Sequence, residues 1–330
     1  MAGKEVQERT EASSARRAAG TRQISQVLGP DVVRSLHKQN VFIDAGVGVG
    51  LLAAVVALAL GLGTVPIGLL WLAMLVAQGF LLQILAFFAH DAFVHRAVGG
   101  RRFSRVAGSV FATPATVVFS EYKHLHMAHH RHVNGAGDSE EYKRDFDRRW
   151  VKWALLTPVG TQMSWFGVFR RGDRERWAPD YTDEEARMVK QETRALILVF
   201  AGLVGLAFLS PGVVLRGYFL PLLLVAPIAS SLRVILEHAD VDVSTPLASS
   251  TFYRTGAVSG PMFLWGAGDC HLVHHLYPAI PFYRMRRAVK LIEPVLLDSG
   301  LRQHRSFGKL LYGWFIRNEA HGTSWPVTNA

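Results

Sequence analysis

Long apolar runs alternate with long charged ones along this chain, and that alternation predicts the architecture. Four apolar stretches cover residues 41–63, 67–89, 195–215 and 217–235. A helix rises about 1.5 Å per residue, so roughly 20 mostly apolar residues cross about 30 Å of hydrocarbon. Each stretch is that long. Polar interruptions are few: Asp44 near the start of the first, Gln78 and Gln83 within the second. The short joints 61–66 and 210–216 pair the stretches. The pattern predicts an all-α integral membrane protein with four transmembrane helices in two hairpins.

The segments between the hairpins are charged and long. Residues 1–40 read as a cytoplasmic N-terminal arm, amphipathic or partly disordered, carrying Lys4, Arg9, Arg16, Arg17, Arg22, Arg34 and Lys38. Residues 41–330 read as one membrane domain, with a helical cap formed by 90–194 and 236–330. Both termini and the Arg- and Lys-rich middle are expected in the cytoplasm by the positive-inside rule. Within the cap, 106–120 and 150–169 are apolar but too short or too interrupted to span. Trp153, Trp165 and Phe166 beside Lys152 and Arg170 suit helices lying at the headgroup interface. The first apolar run starts too late and runs too long for a cleavable signal, so it is expected to stay as an anchor.

Charge and cysteine narrow the chemistry. The net charge is +10, but in a membrane protein basic residues serve anionic headgroups, and nucleic-acid binding is not expected. Cys270 is the one cysteine, which excludes an intrachain disulfide and a cysteine-held iron–sulfur cluster.

Histidine carries the functional signal. Eleven of the fourteen histidines fall into four groups: His90 and His95; His124, His126, His129, His130 and His132; His238; and His271, His274 and His275. Each group ends an apolar stretch or follows one, and the predicted topology puts all four on one side. Neutral imidazole offers a nitrogen lone pair and is the commonest metal ligand. Positions i, i+3 and i+4 share a helix face, which suits His126, His129 and His130, and equally His271, His274 and His275. His90 and His95 are five apart, which suits a helix end that unwinds. The candidate ligands are therefore His90, His95, His126, His129, His130, His238, His271, His274 and His275. Nine exceeds the four that zinc typically takes, whereas two metals with four or five ligands each would fit. His37, His304 and His321 read as ordinary polar residues, and His132 as solvated. Asp91, His124, Asp138, Glu237 and Asp269 are candidates to orient ligand rings from behind, with Glu121 and Glu140 as further carboxylates near the boxes.

The motifs HDAFVH (90–95), HMAHH (126–130) and HLVHH (271–275), in that order with two spans between the second and third, resemble the membrane fatty acid desaturase/hydroxylase superfamily. The likeness runs from about residue 67 to 295 and includes the continuation His275-Leu-Tyr-Pro-Ala-Ile-Pro-Phe-Tyr-Arg. The resemblance implies a non-haem di-iron centre held by those histidines, O2 as co-substrate, two electrons from an external donor such as a ferredoxin or reductase, and a lipid-like or acyl substrate. His238 matches an additional histidine of some members. Where those members place an asparagine four residues earlier, this chain has Val234 beside Arg233, which favours direct ligation by His238.

Desaturation of a fatty acyl chain is the first reading. Oxygen insertion by a hydroxylase or ketolase of the same superfamily is the alternative, because one oxidant serves both outcomes. A histidine-rich metal transporter is the rival from another class. It would need polar residues at mid-depth, and the first and third spans offer almost none. Gln78 and Gln83 are expected either to line a substrate channel or to bond a neighbouring helix. Arg131, Arg144, Arg148 and Arg149 could receive an acidic electron donor.

Overall fold

The computed structural model describes residues 18–133, 138–139, 149–154, 156–158, 182–238, 247, 249–301, 303 and 306–317. Every regular element among them is helical. Four helices there are long and apolar enough to cross a membrane: Pro30–Thr64, Leu69–His95, Asp183–Leu209 and Gly212–Arg233.

The first span proper, Val41–Thr64, starts where Asn40 caps it, its side-chain oxygen accepting from the backbone N–H of Phe42 and Ile43. The third span begins well before its apolar run. Thr182 and Glu185 form a reciprocal capping box there, and Asp183, Glu184 and Glu185 occupy the first turn, where negative charge meets the positive helix end. This polar overhang reaches the cap: Glu192 accepts from the backbone N–H and hydroxyl of Ser120 at 2.8 and 2.6 Å. The same helix stops at Leu209 rather than 215. Pro211 disfavours helical geometry at Ser210, and residues Gly212–Phe219 already form wide π-helical turns of the fourth span. The second hairpin turn is therefore Ser210–Pro211, shorter than 210–216.

The first, second and fourth spans pack together, while Ile197, Leu198, Val199, Val204, Phe208 and Leu209 leave the third span's outer face apolar and exposed, as lipid contact requires. Gln78 decides between its two expected roles. Its fully buried amide donates to the carbonyls of Val55 and Gly217, both at 3.1 Å, so it joins three spans. Gly217 permits the close crossing: a Cβ there would meet the carbonyl oxygen of Ala59 at 2.3 Å.

One expectation about the cap changes. Residues 106–120 are not one helix, because Pro114 and the left-handed Thr116 (φ 63°) break the chain between helices Arg101–Ala112 and Phe119–His132. The first of these exposes Phe103, Val106 and Val110, with Arg101 and Arg102 also exposed, which suits an interfacial helix. Of the second interfacial segment, Arg149–Ala154 is helical with Trp150 and Trp153 exposed, whereas 159–169 lie outside the described residues. The N-terminal arm is helical over 18–28 and Pro30–Leu36. Ile24 and Leu36 enter one apolar cluster with Cys270, Leu272, Val273 and Leu276. The Tyr277 hydroxyl reaches Ser25 Oγ at 2.8 Å and donates to the Thr21 carbonyl at 3.0 Å.

Candidate metal centre

The second span ends in a π-helical turn, His90–His95. Its i→i+5 repeat, rather than unwinding, brings these two imidazoles to one side, with their Nε2 atoms 3.1 Å apart. The helix Phe119–His132 supplies His126, His129 and His130, and the helix Asp269–Leu276 supplies His271, His274 and His275. The latter begins where Asp269 N–H donates to the Tyr253 carbonyl at 2.8 Å and Gly268 takes a left-handed φ of 62°. His238 closes the helix Ala226–His238 at the end of the fourth span.

All nine candidate histidines converge, in two groups. His90, His95, His126, His130 and His274 bring one ligand atom each within 4.8 Å of the others, as do His129, His238 and His275. His271 joins the second group, its Nε2 lying 3.0 Å from that of His275 and 3.3 Å from that of His238. The groups adjoin, since the His130 and His275 rings stack with centroids 4.4 Å apart.

The donor sets fit metal ions. The Nε2 atoms of His90, His95 and His126 form a triangle with edges of 2.7, 3.1 and 3.1 Å. A neutral imidazole nitrogen is either donor or acceptor, never both, so three such atoms cannot satisfy one another by hydrogen bonds. Ligands about 2.1 Å from one cation stand roughly 3 Å apart, which is the spacing seen. His130 Nε2 and His274 Nε2 are buried without a hydrogen-bond partner, costing about 1–3 kcal/mol each if nothing else binds them. Burial, and then neighbouring imidazoles, hold the pKa values of His126, His130, His274 and His275 well below the ordinary histidine range. They are neutral and ligand-competent at pH 7.

The carboxylates divide. Asp138 Oδ1 accepts from His129 Nδ1 at 2.7 Å, and both side chains are buried. Glu237 Oε1 stands 3.6 Å from His271 Nδ1 and also accepts from Arg233 Nε. Asp91 and Asp269 contact no histidine through their described bonds. Asp91 accepts from Arg96, and Asp269 from Thr255 and the Cys270 N–H. His124 faces Glu185 at 3.2 Å, away from both groups. Glu140, Arg144 and Arg148 lie outside the described residues, as does the side chain of Val234.

Three residues beyond the expected set brace the elements around this centre. Arg233 is buried, lies 3.2 Å over the Phe87 ring and bonds Glu237 and Tyr122. Tyr122 stacks on His126 with centroids 5.3 Å apart. Arg96 holds Asp44 and Asp91. One signal of this was legible in the chain, since charge inside an apolar span, as at Asp44, calls for a partner. Beside His90, His271 and His274 lies an apolar pocket walled by Phe87, Leu264, Trp265, Phe282 and Met285.

Fold and site together define an integral membrane protein with a histidine-lined centre suited to metal ions. The chain matches the fatty acid desaturase family over residues 66–307 and belongs to it. Among similar proteins, a Delta(12) acyl-lipid conjugase (11E,13E-forming) from Impatiens balsamina is 26% identical, covering 58% of each chain. A Delta(12)-oleate desaturase from Trichosanthes kirilowii is 23% identical over 63% of this chain and 64% of its own. A Delta(12)-fatty-acid desaturase from Vernicia fordii is 25% identical over 66% and 65%. The chain thus spans less than two thirds of the length of these relatives.

Proposed function

We propose that this protein is an O2-dependent di-iron desaturase that introduces a C=C bond into a fatty acyl chain. The observation that carries the reading is the partition of nine imidazoles, all but the half-buried His95 being buried, into adjoining groups of five and four, within a chain of the desaturase family. The first group would hold one iron through His90, His95, His126, His130 and His274. The second would be held by His129, His238, His271 and His275, with Asp138 and Glu237 steadying His129 and His271 from behind. Neutral ligands leave the cations' charge uncompensated, which favours a strongly electrophilic centre.

With both irons bound, the centre supplies the oxidation of an unactivated C–H bond. The chain's own residues do the rest. Phe87, Leu264, Trp265, Phe282 and Met285 offer a dry wall against which an acyl chain would lie beside His90, His271 and His274, and dryness protects the oxidant from water. The reaction balances when O2, two substrate hydrogens, two electrons and two protons yield the alkene and two waters. The electrons come from a separate donor; exposed Arg131 on the second-box helix and Arg149 suit an acidic one. Both termini and the histidines face the cytoplasm in this reading, by the distribution of basic residues.

The test is mass spectrometry of acyl products from cells expressing the chain with a reductase system under 18O2. A product lighter by two hydrogens and free of label supports desaturation. A product carrying one 18O makes the protein an oxygen-inserting relative instead.

A further inference from the structure

The π-helical turn that brings His90 and His95 together needs something to hold it, and the residue that follows it does not point to water. The Arg96 side chain is fully buried, between Asp44 and Asp91, whose side chains are 4% and 7% exposed. Its guanidinium grips Asp44 with two parallel bonds of 2.8 and 2.7 Å. It also reaches back over the turn to the Asp91 carboxylate at 2.6 and 3.1 Å and to the Asp91 carbonyl at 3.2 Å. Asp44 belongs to the first turn of the first span, and Asp91 stands between the two histidines. A third segment closes on the same place. Tyr283, in the helix after the third box, lies with its ring 5.9 Å from the guanidinium, and its hydroxyl accepts from the N–H of Asn40, the cap of the first span.

Burying three charges is costly, and such groups are a weak source of stability compared with apolar packing. What they supply is geometric: a planar fork bonds two carboxylates in one arrangement only. We propose that Arg96, with Asp44 and Asp91, is a positioning clamp that fixes the first histidine box against the first span and so completes the five-histidine group. The clamp acts through His90 and His95 and touches neither substrate nor metal. Arg96 leaves one carboxylate charge uncompensated beside the box, which also favours cation binding there.

This inference rests on the reading that the histidines hold two metal ions, and the experiment separates the two claims. Full-length protein, wild type, Arg96→Lys and Asp44→Asn, is purified in detergent and loaded anaerobically with 57Fe(II). Iron per chain, the Mössbauer spectrum, and amide exchange over residues 90–96 in the metal-free protein are measured. Arg96→Lys keeps the charge but loses the fork; Asp44→Asn keeps the shape and the Arg96–Asp91 pair. Each variant is expected to fall from two irons to about one, losing the Mössbauer component of the five-histidine group. Amide exchange in the box should rise at least tenfold in both. Two irons, an unchanged spectrum and unchanged exchange in the variants overturn the clamp. So does failure of both conservative variants to fold, which makes the trio a stability element. A wild type that binds no iron overturns the metal reading, and the exchange data alone then decide the clamp.

Discussion

At the scale of single residues, the centre depends on nitrogen atoms kept neutral and aimed inward. Removing one imidazole from either group should empty that group and spare the other. His274→Ala and His238→Ala are each expected to retain about one iron per chain and to lose acyl oxidation, measured by metal analysis and product formation. Asp138→Asn keeps the size of the side chain but weakens its hold on His129. Metal affinity should drop about 10- to 100-fold, read by competition with a chelator; an unchanged affinity would mean that Asp138 serves packing alone. The depressed pKa values of His126, His130, His274 and His275 also set a pH dependence. Below about pH 6.5 the unfolded chain takes up protons that the folded one refuses. Stability of the metal-free protein is therefore full above that pH and falls as pH drops, by up to about 1.4 kcal/mol per unit for each group. Thermal unfolding of metal-free protein between pH 7.5 and 5 checks this, and a flat profile contradicts it.

At the scale of elements, close approach and buried polar bonds hold the spans together. Lipid supplies no hydrophobic drive between helices, so small residues and interhelical hydrogen bonds matter more. Gly217→Ala forces the first and fourth spans apart, because its Cβ would meet backbone atoms of Ala59, and backbone yields less readily than a side chain. A thermal midpoint several degrees lower in detergent is the expected result. Gln78→Leu should cost about 1 kcal/mol by removing two bonds at once. The sequence announced Gln78 as an anomaly in an apolar run, but not its acceptors, which lie 23 and 139 residues away in the chain.

At the scale of the whole molecule, the arm and the third box form one core. Ile24 and Leu36 pack in the same cluster as Cys270 and Leu276, and Tyr277 ties residues 21 and 25 to the end of HLVHH. Truncation of residues 1–28 is predicted to lower the thermal midpoint and the retention of iron together, measured by unfolding and metal analysis of the same preparation. Retention of both would show that the third box is held without the arm. The arm reads as amphipathic or partly disordered because its apolar residues are sparse; the burial of Ile24 and Leu36 depends on a surface made more than 230 residues later, which no local pattern reports.

The number of spans, the histidine inventory and the resemblance to the desaturase superfamily were all legible along the chain. Hydropathy over roughly 20 residues and repeats of three and four residues are local properties, legible in one dimension. Folding in three dimensions settled how nine imidazoles split into five and four, that Asp138 and Glu237 face the His129 and His271 rings while Asp91 and Asp269 turn elsewhere, and that Arg96 joins the first span to the first box. Those outcomes rest on distances between residues far apart in the chain. Charges and lone pairs reach partners within a few ångströms in space, whatever their separation in sequence.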